Sequence, residues 1–326
     1  MTDVRTPRPT IGLSRVAACL PGLEPVEDIL VRAGRPPMER KLFAKVHGLR
    51  TSPTLAPGEH TEDLLVSAGR AALGGDTADL VLYGHTVQTQ ELALRGGFPG
   101  RLRDRLGLPE AGCYGISHVN CTSVLRGIDL ATRYLRRKSG TPADRVLVLG
   151  GDHGSAHDLT RVIPGVTVGG DAVAAVVVGV DTPSRPVRYR LLGAASGRET
   201  RFHRNQRMSP EDASDYTAVC ATAVVDTCHR AAASAGLGVQ SLDWVLPHLS
   251  NRMFWGRFAK LAGIDRERIL VDLIPEIGHN FGVDALLALD HADRAGRLRP
   301  GDRCALISLG QGAYFQVLII EVAEDS

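Results

Sequence analysis

The chain has 326 residues, 44% of them hydrophobic and 23% charged, a globular composition that excludes disordered and collagen-like classes. Its 38 basic and 36 acidic side chains leave a formal charge of +2, which gives no electrostatic case for nucleic-acid binding. The longest uncharged apolar run, Ala172 to Val180, falls well short of the roughly 20 residues that a membrane-spanning helix needs. The N-terminus carries Asp3 early and Arg15 where a signal peptide needs an apolar core, so a cytoplasmic protein is expected. The six cysteines form no CxxC pair and no zinc spacing; in a reducing compartment most are expected to be small core residues.

Taken in chain order, the hydrophobic pattern alternates between strand and helix. It predicts a strand over Ile11 to Leu20, a helix over Thr61 to Leu73 capped by Thr61 and ended near Gly74-Gly75, and a strand over Leu80 to Tyr83. A helix follows over Thr122 to Arg137, with Val124, Ile128, Ala131 and Leu135 on one face, then strands over Val146 to Leu149 and Ala172 to Val180. After a polar stretch come helices over Ala218 to Ala235, Met253 to Ala262 and Asp284 to Ala295. The matching strands are Trp244 to Leu246, Cys304 to Leu309 and Tyr314 to Val322. Such alternation points to an α/β layered fold.

The chain also repeats itself. Pro142-Ala-Asp144-Arg145 precedes the strand VLVL and Gly150, and Pro300-Gly-Asp302-Arg303 precedes CALISL and Gly310, at an offset of 158 residues. At that same offset Cys121 falls opposite His279, each just before a helix that runs to the paired proline. DLVLYGH, Asp79 to His85, echoes DWVLPH, Asp243 to His248. Two similar halves are expected, 1–185 carrying Cys121 and 186–326 carrying the histidines, joined near Asp181 to Arg190.

Cys121 stands between a predicted strand and a predicted helix. A thiol there meets the positive end of the helix dipole, which favours the thiolate; the alternative is a buried structural cysteine. His248 follows a strand end in PHLSN, where α/β active sites collect, and Asn251 comes three residues later. His279 is bracketed by Gly278 and Gly282, which permit a tight bend and close approach. Asp284 either caps the following helix or orients a histidine, and Asn280 reads equally as a ligand-binding or a turn residue. Gly169-Gly170 and Gly310-Gln311-Gly312 lack the spacing of a nucleotide-binding loop. Asp171 reads as an anchor for backbone amides. Seven arginines between Arg185 and Arg207 form either a solvated loop or a docking face for phosphates or an acidic carrier.

A helix-leading cysteine, PHxxN, GHxxG and a terminal strand with GQG resemble the thiolase superfamily. The nearest likeness is to its ketoacyl-ACP synthase III branch and to the acyltransferases that diverged from that branch in natural-product pathways. The resemblance runs from Ile11 to Glu321, with GGDAVAA and LGQGAYFQVLII resembling the branch's glycine motifs. It implies two βαβαβαββ halves in a five-layer αβαβα arrangement, normally a homodimer. It implies Cys121 as acyl-bearing nucleophile, His279 as base steadied by Asp284, His248 as a second acid–base group, and Asn251, Asn280, Gly310 and Gly312 as substrate-binding positions.

Two departures stand out. His279 replaces the branch's usual asparagine, which leaves Asn280 one place out of register. Leu42 and Val46 stand where the branch has the Trp and Arg that hold coenzyme A. The resemblance therefore implies transfer of an acyl group from a carrier-protein or coenzyme A thioester to a hydroxyl, amine or carrier thiol. The alternative is decarboxylative condensation with a malonyl thioester. No metal or redox cofactor is implied. Loops over Val87 to Pro99 and Arg198 to Asp215 are expected to shape the pocket.

Overall fold

The computed structural model describes residues 9–87, 97–137, 144–204 and 208–324, and within them ten strands join into one hydrogen-bonded sheet. The first half supplies β1 (Ile11–Leu13), β2 (Ala17–Cys19), β3 (Leu80–Gly84), β4 (Gly112–Ile116), β5 (Arg145–Gly151) and β6 (Val173–Val180). The second half supplies β7 (Tyr189–Arg198), β8 (Trp244–Leu246), β9 (Arg303–Gly310) and β10 (Tyr314–Val322). They run in the order β8-β9-β10-β7-β1-β6-β5-β3-β4, with β2 also on β6.

The duplication is visible in the pairing. In the first half β4, β3 and β5 are parallel, and β5 pairs antiparallel with β6 and β6 with β1. In the second half β8 is parallel to β9, and β9 pairs antiparallel with β10 and β10 with β7. A lone parallel bridge from Val245 to Ile269 takes the place that β4 has in the first half.

Six helices cover these strands: α1 (Thr61–Leu73), α2 (Gly97–Leu106), α3 (Ser123–Arg137), α4 (Pro210–Ser234), α5 (Arg252–Ala262) and α6 (Asp284–Arg294). Strand alternation decides which helix meets which face. Leu147, Leu149, Val173, Ala175 and Val177 pack with Leu65 of α1 and Leu102 of α2. Val146, Val148, Ala174, Val176 and Val178 face the other way, into the cluster that holds Ile128 of α3. Both α3 and α6 lie between the halves: α3 packs on β3, β5, β6 and β10, and α6 on β8, β9 and β2. The layer formed by α4 covers β7 and β10 from outside, and α5 packs on α4. The result is the expected αβαβα sandwich.

Several local expectations are corrected. The strand predicted over Ile11 to Leu20 is two strands on one neighbour, β6. Ser14 breaks the run: its amide donates to Val177 O (2.9 Å) and its hydroxyl accepts from Val177 N (3.0 Å), so a side chain replaces a rung of the ladder. Thr61 begins α1 but does not cap it, since His60 holds the cap position and no side-chain cap bond is made. The polar stretch after Val180 contains the ten-residue strand β7, and α4 begins at Pro210, inside the second predicted loop. Residues 88–96 of the first predicted loop lie outside the described residues, and α2 begins at Gly97.

Five of the seven arginines of this stretch, Arg185, Arg188, Arg190, Arg198 and Arg201, are engaged within the protein, while Arg204 is exposed. Arg188 pairs with Asp293 (2.6 Å), Arg190 with Asp181 (3.1 Å), and Arg201 with Asp212 (2.6 Å) and Asp215 (2.9 Å). Arg198 lies 5.0 Å over the Tyr314 ring. Their partners argue against an open phosphate-docking face; Arg207 lies outside the described residues.

Candidate active site

Two matching turns meet between the halves. Cys121 sits in the single turn Asn120–Thr122 that leads into α3, and His279 lies just before the turn Phe281–Val283 that leads into α6. The backbone bends sharply at both places. Asn120 has φ 49° and Phe281 φ 53°, in the left-handed region that asparagine tolerates and phenylalanine adopts only when its surroundings hold it there.

Glycines let the turns close on each other. A Cβ on Gly282 would stand 2.9 Å from Val124 Cγ2 and 3.1 Å from Ser123 Oγ, so only glycine allows the His279 turn to lie on the start of α3. A Cβ on Gly310, at the end of β9, would stand 2.7 Å from Val119 O and 3.3 Å from Cys121 N. Ser308 of β9 donates its hydroxyl proton to the Cys121 carbonyl. Gly170 donates its amide to the His279 carbonyl at 2.8 Å, and Asp171 accepts from Leu55 N (2.8 Å) and Ser155 N (2.9 Å), the anchoring role expected of it.

The side chains then form a relay. Cys121 Sγ lies 3.6 Å from His279 Nε2, and His279 Nδ1 lies 2.6 Å from Asp284 Oδ2. A carboxylate only accepts, so Nδ1 carries the proton on that side and Nε2 is turned to the sulfur. Asp284 is held in turn by Leu249 N on Oδ2 (2.7 Å) and Asn280 N on Oδ1 (2.6 Å). His248 completes the group, its ring centroid 4.4 Å from that of His279 and its Nδ1 3.2 Å from Asp284 Oδ2, without hydrogen-bond geometry. Trp255 of α5 fixes the His248 loop by donating Nε1–H to its carbonyl at 2.7 Å.

The two imidazoles are driven apart in charge. Burial opposes the charged form of His279, but the Asp284 carboxylate and then the Cys121 sulfur outweigh it and raise the imidazole to about 10. Burial lowers His248 to about 3, helped by the neighbouring His279 and opposed only in part by Asp284. The site therefore places one imidazolium and one neutral imidazole side by side at neutral pH.

Linkage gives the two histidines opposite pH windows. The folded chain withholds a proton from His248 that the unfolded chain binds near 6.5, so this contribution to stability falls as pH drops from 6.5 towards 3. The His279 contribution is fully present below 6.5 and is lost as pH rises through about 10. Replacing His248 by glutamine is expected to lessen the acid loss of stability by on the order of a few kcal/mol. Urea unfolding of both proteins at mildly acidic and neutral pH measures it. An identical acid loss in the two would show that His248 is not held neutral.

Comparison with known proteins agrees with this geometry. Residues 232–322 match the family described as 3-oxoacyl-[acyl-carrier-protein (ACP)] synthase III C terminal. Beta-ketoacyl-[acyl-carrier-protein] synthase III 3 of Streptomyces coelicolor is 31% identical over 293 residues, covering 78% of this chain and 81% of the relative. The chain belongs to the ketoacyl-ACP synthase III family, a branch of the thiolase superfamily. Among solved structures, the synthase III FabH of Pseudomonas aeruginosa PAO1 superposes with a TM-score of 0.79 at 20% identity, covering 97% of this chain and 99% of that one. ChlB3, titled an acyltransferase, superposes with 0.81 at 18% identity over 97% of this chain and 98% of its own.

Within this synthase III fold, a pocket of about 290 Å³ opens on Cys121, His248 and His279. Asn251 and Gly310 line it as expected; Asn251 also caps α5, accepting from Phe254 N at 3.0 Å. Two expected binding residues do not. Asn280 is fully buried, its Oδ1 accepting from Ala172 N (3.2 Å) and its Nδ2 donating to Ile277 O (3.1 Å) and Gly278 O (3.3 Å), which leaves nothing for a ligand. Gly312 stands off the pocket in a left-handed conformation, φ 101°, beside the Tyr314 ring.

The sequence reading missed other lining residues of the synthase. A π-turn over Phe43–His47 turns a buried His47 into the wall, and the one signal for it is a histidine directly before Gly48, which has φ 83°. Tyr216 and Cys220 face the pocket from successive turns of α4, and at helical spacing they read as core. Burial pushes the Cys220 thiol up to about 12, so this second cysteine in the wall is no rival nucleophile. The fold also gathers what spacing did not suggest. The ligating atoms of Cys121, His248 and His279 lie within 4.8 Å of one another, a set able to hold a soft divalent cation such as zinc. Among the described residues no helix is long and apolar enough to cross a membrane.

Proposed function

We propose that this protein takes an acyl group from a carrier-protein or coenzyme A thioester onto Cys121 and passes it to a hydroxyl, amine or carrier thiol, as a homodimer in a polyketide or antibiotic pathway. The observation that carries this reading is the Cys121–His279–Asp284 relay, with 3.6 Å and 2.6 Å between successive members. The thiolate attacks the thioester carbonyl, the bond to the donor sulfur breaks, and the departing thiolate takes the Nε2 proton of His279. Having given up that proton, His279 is left neutral and free to act as a base. It then accepts the proton of the acceptor, whose oxygen, nitrogen or sulfur attacks the acyl carbon as Cys121 leaves. Backbone amides at Cys121 and Gly310, which the close approach of β9 to the nucleophile's turn brings together, would stabilise the oxyanion. That ChlB3 is titled an acyltransferase fits a fold that hosts transfer as well as condensation.

A second reading rests on His248. A buried imidazole kept neutral beside the nucleophile is suited to donate a hydrogen bond to the enolate left when a malonyl group loses carbon dioxide. That would make the product a 3-oxoacyl thioester. Intact-mass spectrometry separates the two readings, with acetyl, malonyl and aromatic acyl groups each offered on coenzyme A and on a carrier protein. A whole acyl group, malonyl included, retained on the wild type and absent from Cys121→Ala supports transfer. A condensation product with loss of carbon dioxide supports the second reading. No adduct from any donor would set both aside in favour of a non-catalytic partner subunit.

A further inference from the structure

The three reactive side chains also form a ligand set, and among the described residues no other cluster of three such groups occurs. Bonds of about 2.3 Å to sulfur and 2.0–2.1 Å to imidazole nitrogen set the edges of a tetrahedral zinc site at about 3.3–3.6 Å. The edge from Cys121 Sγ to His279 Nε2 is already 3.6 Å, and the ligating atom of His248 lies within 4.8 Å of both. The His248 ring makes no hydrogen bond among the described residues, its Nδ1 being buried without a partner, so it can close on the other two without breaking one.

The groups behind the rings fit the same purpose. Asp284 Oδ2 lies 2.6 Å from His279 Nδ1 and 3.2 Å from His248 Nδ1. This turns the Nε2 edge of each ring away from the carboxylate, that of His279 onto the sulfur and that of His248 towards the pocket that Cys121 lines. Ligating histidines characteristically give their second N–H to a carboxylate, which fixes the ring and strengthens it as a ligand; here one carboxylate stands behind two. Each ligand residue is also tied through its own carbonyl, Cys121 by the Ser308 hydroxyl, His248 by Trp255 Nε1–H and His279 by the Gly170 amide. The pocket of about 290 Å³ opens on all three. It gives an ion a way in and a water the fourth position, the pattern of an open zinc site.

We infer that Cys121, His248 and His279 bind one zinc ion, and that this ion and the acyl group exclude each other on Cys121, making the metal a reversible brake on acylation. The exclusion rests on the reading of Cys121 as acyl carrier; the metal site does not. Binding breaks no carbon or sulfur bond: the thiolate and the two imidazole nitrogens each donate a lone pair, and the Nε2 proton of His279 passes to solvent. An acylated sulfur has lost the negative charge that suits a soft cation, so the acyl form lacks its strongest ligand.

The test titrates cobalt(II), a spectroscopic stand-in for zinc, into the metal-free full chain. One equivalent is expected to give a sulfur-to-cobalt charge-transfer band and the strong visible bands of a tetrahedral site, both erased by zinc. The charge-transfer band should vanish in Cys121→Ser and persist in Cys220→Ala, which removes the other thiol of the wall. Zinc affinity, read by competition with a chromophoric chelator, should fall about 10–100-fold in Asp284→Asn, the scale for losing the outer partner of a ligating histidine, and at least as far in His248→Gln. Acylation followed by intact mass should stop in the zinc-loaded protein and resume on adding a chelator. No sulfur-to-cobalt band, a band that survives Cys121→Ser, or an affinity unchanged in His248→Gln would overturn the metal site. Acylation of the zinc-loaded protein at the metal-free rate would overturn the brake. No adduct from any donor on the metal-free protein would overturn the acyl-carrier reading and the brake with it, while the cobalt spectra still decide the site.

Discussion

Replacing Asp284 by asparagine is expected to slow acylation of Cys121 by about three to four orders of magnitude. Four groups converge on this carboxylate: His279 Nδ1, the Leu249 and Asn280 amides, and His248 at 3.2 Å. All but His248 are bound donors, and an asparagine can meet them with one oxygen only. Its amide N–H groups would face Nδ1 or a backbone N–H, and His279 would have to present its other tautomer, with the proton on Nε2, so that the nitrogen facing the sulfur could no longer accept one. Asp284 is a positioning residue, so a fall in rate alone would not identify its role. The added readout is the pH profile. With the carboxylate gone, the largest influence that holds His279 up near 10 disappears, and the basic limb of the acylation rate should move down with it. A loss below tenfold with an unmoved basic limb would show that His279 does not depend on Asp284.

Gly310→Ala is expected to cost at least about 100-fold in acylation, the scale reached when reacting groups shift by an ångström. The new Cβ would lie 2.7 Å from Val119 O, 3.1 Å from Asn120 Cβ and 3.3 Å from Cys121 N. The nearest of these atoms is backbone, in a segment that Asn120 already holds at φ 49°, so no rotamer change relieves the contact. Either β9 withdraws from the nucleophile, or the nucleophile's turn moves away from His279. The accompanying loss of stability should be about 1–3 kcal/mol, as for other overpacked sites. Gly312→Ala is the informative control, because its Cβ would crowd the Tyr314 ring at 2.9 Å and reach the nucleophile's turn only at an ordinary 3.8 Å from Asn120 Nδ2. It should destabilise through its left-handed backbone while sparing the rate. Equal acylation rates for Gly310→Ala and wild type would show that this close approach has no part in the chemistry.

How much of this was legible in the residues depends on what each feature needs. Strands buried on both faces, such as Val173–Val180, show as unbroken apolar runs, and the strands Trp244–Leu246 and Tyr314–Val322 fall where the pattern places them. Gly112–Ile116, the strand expected before Cys121, shows no run that would bound it, because it is a half-exposed edge strand with two glycines and no periodic apolar face. The relay was legible because a cysteine and a histidine share one offset before matching helices. Asn280 was misread because only tertiary structure shows that its amide is consumed by Ala172, Ile277 and Gly278. The pairing of the arginines after Val180 was hidden for a related reason. Their acidic partners, among them Asp293 and Glu321, are remote in the chain, and composition cannot distinguish a neutralised strand from a solvated loop.

The meeting of the two turns has a bearing on how the protein is made. Cys121 and His279 are 158 residues apart and belong to opposite halves. A chain that has emerged from the ribosome only as far as β6 already owns its thiol but neither imidazole nor the carboxylate behind them. Such a chain cannot capture thioesters through the relay, however abundant they are around it. Competence waits until the turn that follows His279 packs on the turn that carries Cys121, so the first acyl group taken up through the relay certifies that both halves have docked.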